Sequence, residues 1–368
     1  MEEWKECTIG DVCNTISDTY RGNAKDVVLI NTSDVLEGKC LNHQKTPNKN
    51  LKGQFKKTFQ QGDILYSEIR PANKRYAYVN FAPKDYIAST KLMVIRHNDK
   101  ITPQYLFYIL TNDVIIRELQ MIAESRSGTF PQVTFSELAN FSISLPSISQ
   151  QKEIVAVLKS FDSKIDLNRR INDNLEQQAI TIFDNMFPTV ASGEDVIGDI
   201  ITPKRGKGLL SKDAVEGNVP VVAGGLEPAT YHNESNTIAP VVTISASGAN
   251  AGYVNLWHIP VWSSDSSFID SAMTSNIYFW YVMLKKRQKE IFDAQTGSAQ
   301  PHIYPKHIAE MPLGKFDLSD VEKFTEIVTP MFEIRGKNLK ESKRLAAVRD
   351  LLLPKLMSGK LKINDMNN

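Results

Sequence analysis

The strongest periodicity in the chain lies between residues 154 and 186. Positions 154, 158, 161, 165, 168, 172, 175, 179, 182 and 186 step alternately by four and three. They carry Ile154, Leu158, Phe161, Ile165, Asn168, Asn172, Leu175, Ala179, Ile182 and Met186. An apolar position every 3.5 residues over more than four heptads predicts a long helix with a narrow seam for one partner helix. The partner is written later in the same chain, because residues 138–186 overlay residues 308–356 at a constant offset of 170 (308 minus 138). In that register the second seam holds Phe324, Val328, Met331, Asn338, Leu345, Leu352 and Leu356, interrupted by Arg335, Ser342 and Arg349. Asn168 and Asn338 share one seam position, where a buried polar residue costs stability but can fix register, unless either simply faces solvent. Ser147-x-x-Gln150 and Ser319-x-x-Glu322 read as capping boxes, while Pro330 and Pro354 predict a kink or a stop in the second helix. The two helices are expected to form one antiparallel pair.

Upstream of each helix the offset drifts. Ile9-Gly10-Asp11-Val12 matches Ile197-Gly198-Asp199-Ile200 at 188, Tyr78-Val79-Asn80 matches Tyr253-Val254-Asn255 at 175, and Tyr105–Tyr108 resembles Tyr278–Tyr281 at 173. The first copy therefore carries about 18 extra residues (188 minus 170), spread over its loops. Residues 26–31, 62–67, 76–80, 87–96 and 240–245 are β-like runs, and Thr102-Pro103 opens a helix with Tyr105, Leu106, Ile109 and Leu110. The expected fold class is mixed α/β (α+β), with twisted sheets in two variable domains, 1–145 and 189–315. Helical spacers 146–188 and 316–368 follow them, giving an internal pseudo-twofold repeat.

Composition adds less. The 368 residues are 42% hydrophobic and 23% charged, which excludes disordered and fibrous classes. No run of 18 apolar residues predicts a transmembrane helix, and the opening MEEWKECTIG lacks the pattern of a secretory signal. Cys7, Cys13 and Cys40 are an odd, sparse set that suits a reducing compartment, so a cytoplasmic location is expected. A net charge of +1 hides local basic patches. Residues 38–62 contain no acid but hold Lys39, Lys45, Lys49, Lys52, Lys56, Lys57 and His43. Residues 200–212 hold Lys204, Arg205, Lys207 and Lys212, and Lys285-Lys286-Arg287-Gln288-Lys289 forms a third cluster. Such patches fit a phosphate-binding face, or simply a soluble surface.

Catalytic motifs are sparse. Asp63, Glu68 and Arg70 superficially resemble a nuclease carboxylate pair with arginine where lysine is usual, but a strand and turn explain them far better. Cys7, Cys13, Cys40 and His43 lack the close Cys-x2-Cys spacing of a zinc site. Gly206-x-Gly208 lacks a phosphate-cradling context, and no Asn-Pro-Pro-aromatic motif of adenine methylation occurs. The chain is expected to catalyse nothing and to hold no metal or cofactor. What remains are polar turns in matching places. Arg70, Asn73, Lys74 and Arg75 follow one strand, and Ser247 and Asn250 follow its counterpart. Arg126-Ser127 and Ser298-x-Gln300 precede the helical parts. These side chains read base edges or bind phosphates, or serve as ordinary turn residues.

Taken together, the chain resembles the specificity subunit of type I restriction–modification enzymes. The resemblance rests on the order variable domain, helix, variable domain, helix. It rests also on Leu145-Pro146-x4-Gln151-x2-Ile154 and on Leu345-x3-Arg349-Asp350-Leu351-Leu352-Leu353-Pro354-Lys355-Leu356-x2-Gly359. Gly62-Asp63-Ile64-Leu65 and the run from Gly297 are similar too, whereas the Gly128 turn and the charged seam positions depart from the pattern. The resemblance implies two target-recognition domains, each reading half of a split, asymmetric site in double-stranded DNA. It also implies two methyltransferase subunits, which carry S-adenosylmethionine, and motor–nuclease subunits as partners. A different class, a stand-alone single-strand-binding scaffold, would stack bases on Tyr76, Tyr78 and Tyr253.

Overall fold

The computed structural model describes residues 4–49, 51, 53–125, 131–297 and 300–363. It divides into two compact units, residues 1–163 with 344–368, and residues 164–343.

In the first unit, Cys13–Ile16, Leu92–His97, Ile64–Ser67 and Tyr76–Tyr78 form an antiparallel sheet in that spatial order. A second sheet runs Lys45–Pro47, Asp26–Ile30, Tyr86–Ser89, Phe55–Lys57, with its two middle strands parallel. The strand Ile64–Ser67 is buried throughout, which explains its unbroken apolar run. Alternation then sorts its side chains. Ile64 and Tyr66 meet Tyr105, Leu106 and Ile109 of the helix Pro103–Leu110, whereas Leu65 packs with Val28, Ile30 and Ala88 of the second sheet. The β-like run 87–96 is not one strand. It breaks at Thr90-Lys91 and supplies one strand to each sheet.

The second unit repeats this plan on a smaller scale. Lys204–Arg205, Ser266–Asp270, Val241–Ser245 and Val254–Trp257 make the antiparallel sheet, again in the order first, last, second, third. Thr230–His232, Val219–Val222 and Trp262–Ser263 make the smaller one. Val242 and Ile244 face Phe279 and Met283 of the helix Ile277–Lys286, while Val241 meets Val222.

The long helices run Ile148–Met186 (39 residues) and Leu318–Met357 (40 residues). Ser147 and Gln150 exchange capping bonds, with Ser147 N–H donating to Gln150 Oε1 at 3.2 Å and Gln150 N–H to Ser147 Oγ at 3.5 Å. Gln151 is fully buried and satisfied, its amide spanning Thr102 N–H, Lys100 C=O and Pro146 C=O. The second helix starts at Leu318, before the expected Ser319 cap, with the N–H groups of Asp320 and Val321 on the Asp317 carbonyl. Neither proline stops it. Pro330 and Pro354 both lie on exposed positions, so the carbonyls they free reach water. Val328, Phe332, Leu353 and Leu356 beside them are buried, and that packing outweighs the lost bonds.

In the first unit the seam brings Ile154 and Leu158 onto Leu353 and Leu356, with Leu352 half-buried beside them. Phe161 and Leu345 are half-buried. In the second unit Ala179 and Phe183 pack with Phe324, Val328 and Phe332, and Ile182 and Met331 are partly buried against them. Phe332, rather than Met331, is the buried side chain at that step. Between these layers the seam is polar. Asn168 Nδ2 donates to Glu341 (2.8 Å) and Ser342 (3.3 Å), and Asn338 Nδ2 to Asn172 Oδ1 (2.9 Å). Ile165 and Leu175 are half-buried alongside. Among the described residues no helix is long and apolar enough to cross a membrane.

Candidate nucleic-acid interface

The turn after Ile64–Ser67 carries four of the expected residues and is held in a strained shape. Arg70 (φ 46°) and Lys74 (φ 51°) both occupy the left-handed region, which costs a non-glycine residue roughly 1–3 kcal/mol. The surroundings hold it there. Arg70 N–H donates to the Pro131 carbonyl (3.0 Å), Ala72 N–H to Gln120 Oε1 (3.0 Å), and the Lys74 ammonium lies 3.2 Å from Asp113. Arg70 and Asn73 are exposed. Arg75 instead turns inward, its guanidinium donating to the carbonyls of Ser33 (3.1 Å) and Val35 (3.5 Å).

In the second unit Lys204 and Lys207 are exposed. The Lys207 loop is fixed through its backbone, by Ser263 C=O (2.9 Å) and the Trp262 indole N–H (2.8 Å). Arg205 Nη2 donates to Asp265 Oδ1 at 2.6 Å, and Ser247 Oγ donates to the other oxygen of that carboxylate. Asn250 is half-buried, its carbonyl closing a turn onto Tyr253 N–H (2.9 Å). Gln300 is exposed. Its carbonyl would lie 2.5 Å from a Cβ at Gly297 (φ +95°), so that turn requires glycine. Arg126, Ser127 and Ser298 lie outside the described residues.

Both turns sit in one recurring frame. In the first unit Ile69 bridges Gln132, Val133 N–H donates to Glu68 C=O (2.9 Å), and Glu68 N–H to Lys91 C=O (3.1 Å). In the second, Ser247 bridges His302, Ile303 N–H donates to Ala246 C=O (2.9 Å), and Ala246 N–H to Asp265 C=O (3.1 Å). Arg70 N–H to Pro131 C=O corresponds to Gly248 N–H to Pro301 C=O (3.1 Å). This frame brings in Lys91, Gln132, Asp265 and His302, which the sequence reading missed. The offset of 170 that equates Val133 with Ile303 also equates Gln132 with His302, so a signal was there.

Each unit also bolts its sheet domain to its stretch of helix through a tyrosine. Tyr108 OH donates to Asp162 (2.6 Å), which also takes Arg349 (2.5 Å). Tyr281 OH donates to Glu176 (2.6 Å), which lies 3.4 Å from Arg335, and Arg335 in turn meets His258 Nε2 at 3.1 Å. Burial first, and the Arg335 charge second, push the His258 pKa down to about 4. Lys285 is lowered by burial above all, partly offset by Glu176. Its ammonium lies 4.8 Å over the Tyr253 ring. Tyr76 is buried against Tyr66, and Tyr78 packs on Phe107. Of these rings Tyr76 is buried, whereas Tyr78 and Tyr253 are half-buried.

Asp63 and Glu68, the carboxylates of the superficial nuclease likeness, each lie beside a cation. Asp63, 1% exposed, accepts Arg96 Nε (2.8 Å) and Nη2 (2.7 Å) and caps Gln60 N–H (2.8 Å). Glu68 sits 3.8 Å from Lys91. The three cysteines are free, and burial pushes the Cys13 thiol up to about 12. Among the described residues no cluster of three metal-binding side chains occurs.

Residues 1–177 match the family described as the type I restriction modification DNA specificity domain. The chain is similar to the type I restriction enzyme HindI specificity subunit of Haemophilus influenzae, 40% identical over 225 residues, covering 60% of this chain and 49% of that one. The chain thus spans about half the length of that relative. It is also similar to the MjaIX specificity subunit of Methanocaldococcus jannaschii, at 25% identity over 84% of this chain and 79% of that one. In fold it resembles the type I restriction–modification S subunit from M. genitalium, with a TM-score of 0.53, 20% identity and 96% of each chain covered.

Proposed function

We propose that the chain belongs to the type I restriction–modification specificity family and reads a bipartite, asymmetric site in double-stranded DNA. Residues 1–145 and 189–315 would act as the two target-recognition domains, with 146–188 and 316–368 as helical spacers. The observation that carries the reading is the recurring frame, which offers one polar turn per unit at the same topological place with different side chains. One scaffold with two unlike reading heads suits a site whose halves differ. Base-edge contacts from such heads give discrimination, and lysines such as Lys45, Lys49, Lys56, Lys204 and Lys207 give sequence-independent attraction to phosphates.

In this reading the chain itself is non-catalytic and works in the cytoplasm. Methylation of adenine belongs to two partner methyltransferase subunits that hold S-adenosylmethionine, and cleavage belongs to motor–nuclease subunits. The helices set the spacing. A helix of 39 residues spans about 58 Å at about 1.5 Å per residue, comparable to roughly 17 base pairs of duplex.

Mapping methylated adenines genome-wide, in cells carrying this chain with its methyltransferase, tests the reading. A split motif is the expected result; absent methylation or a continuous motif would end it. Adding one heptad to each long helix should lengthen the unread gap and leave both half-sites unchanged. Original spacing in that variant, with intact helicity by circular dichroism, would remove the ruler.

A further inference from the structure

We infer that Lys91 in the first unit and Asp265 in the second are a matched pair of base-reading residues, a donor and an acceptor at one topological position. The inference rests on the DNA-reading function proposed above.

Both residues lie where the chain crosses from the smaller or mixed sheet into the antiparallel one. Lys91 falls between Tyr86–Ser89 and Leu92–His97, and Asp265 between Trp262–Ser263 and Ser266–Asp270. The carbonyl of each accepts the N–H of the residue that follows the neighbouring strand, Glu68 or Ala246. Their side chains emerge beside the bridges Ile69–Gln132 and Ser247–His302.

Each side chain is half-exposed and tethered. Lys91, 49% exposed, has its ammonium 3.3 Å from Gln132 Oε1 and 3.8 Å from Glu68. Asp265, 37% exposed, is held by Arg205 and Ser247. Tethering limits the side-chain freedom lost on binding, which favours discrimination over loose attraction. It leaves capacity to spare, because an ammonium has three donors and a carboxylate about four acceptor sites.

The charges decide what each can read. The Asp265 carboxylate, held by Arg205 and Ser247, carries a negative charge that repels phosphate, so it is badly suited to gripping the backbone. It can accept an exocyclic amino group, as acidic side chains do with cytosine N4. Lys91 can donate to guanine O6 and N7. The reversed polarity at equivalent positions is what two unlike half-sites require. Arg205 and Ser247 then act as positioning residues for Asp265, and Gln132 for Lys91.

The test uses the full chain with its methyltransferase subunits and a genome-wide adenine-methylation map. Lys91→Met should lower the preference at a single G·C pair of one half-site by roughly ten- to hundredfold. Asp265→Asn should do the same at one position of the other half-site. Asp265→Ser and Lys91→Gln carry the same expectation, so failure of one variant to fold leaves the test standing. An unchanged motif, a uniform fall in methylation with the motif intact, or one substitution altering both half-sites would each overturn the inference. A wild-type map without a split motif would instead remove the function on which it rests.

Discussion

The Asp63–Arg96 pair allows a test in which geometry fixes both the sign and the asymmetry of the outcome. Asp63 is 1% exposed, while the Arg96 side chain is 28% exposed. Replacing Arg96 with Met leaves a buried carboxylate that the Gln60 N–H alone still serves among the described groups. Removing one member of a buried pair costs about 3–5 kcal/mol. Replacing Asp63 with Asn leaves a guanidinium that reaches water, and the amide oxygen still accepts from Gln60, so about 1–3 kcal/mol is expected. The double variant should cost less than the sum of the two, because neither charge is then stranded. At about 2–4 °C per kcal/mol for a unit of this size, Arg96→Met should lower its melting transition by roughly 6–20 °C. Thermal and urea unfolding of the four proteins, followed by circular dichroism, gives the cycle. Strictly additive losses, or an Arg96→Met cost below about 1 kcal/mol, would refute the reasoning. The same proteins address catalysis, since metal-dependent cleavage by the wild type that is lost in a still-folded Asp63→Asn would give this carboxylate a nuclease role.

Three further outcomes follow from the packing. His258 has a pKa lowered to about 4 from 6.5, so the unfolded chain binds its proton more readily; stability should fall as pH drops from about 6.5 through 4, by up to about 3 kcal/mol. His258→Gln should flatten that slope in unfolding titrations, and an unchanged slope would assign it elsewhere. Phe183 is 1% exposed, with its ring 5.1 to 5.5 Å from Phe187, Phe279 and Phe324; Phe183→Ala should cost about 3–5 kcal/mol in the second unit's unfolding, and a loss below about 1 kcal/mol would mean that the seam there is not closely packed. Tyr108→Phe leaves Asp162 with Arg349 as its remaining partner here, so a loss of roughly 1 kcal/mol is expected in the same assay.

Sequence periodicity determined the elements that depend on which face is buried. The seam from Ile154 to Met186, its echo at an offset of 170, and the apolar runs at Ile64–Ser67 and Val241–Ser245 were all legible. They were legible because burial writes a local repeat into the chain, every 3.5 residues in a coiled helix and continuously in a strand covered on both faces. Of the kink or stop expected at Pro330 and Pro354, the stop is not taken: both sit in a continuous helix, beside apolar side chains that stay buried.

Which polar groups remain available is a different kind of fact. Arg75 reads as a DNA contact by residue type, yet carbonyls about 40 residues away, at Ser33 and Val35, claim its guanidinium. Asp265 reads as nothing in particular, yet strand register sets it beside Arg205, 60 residues earlier in sequence. The polar interruption at Ser89-Thr90-Lys91 becomes a crossover because two sheets need one strand each. Periodicity carries burial because burial is local to a face. The partner of a charged side chain is set by chain segments far apart in sequence, and only the folded arrangement of strands brings them within a hydrogen bond.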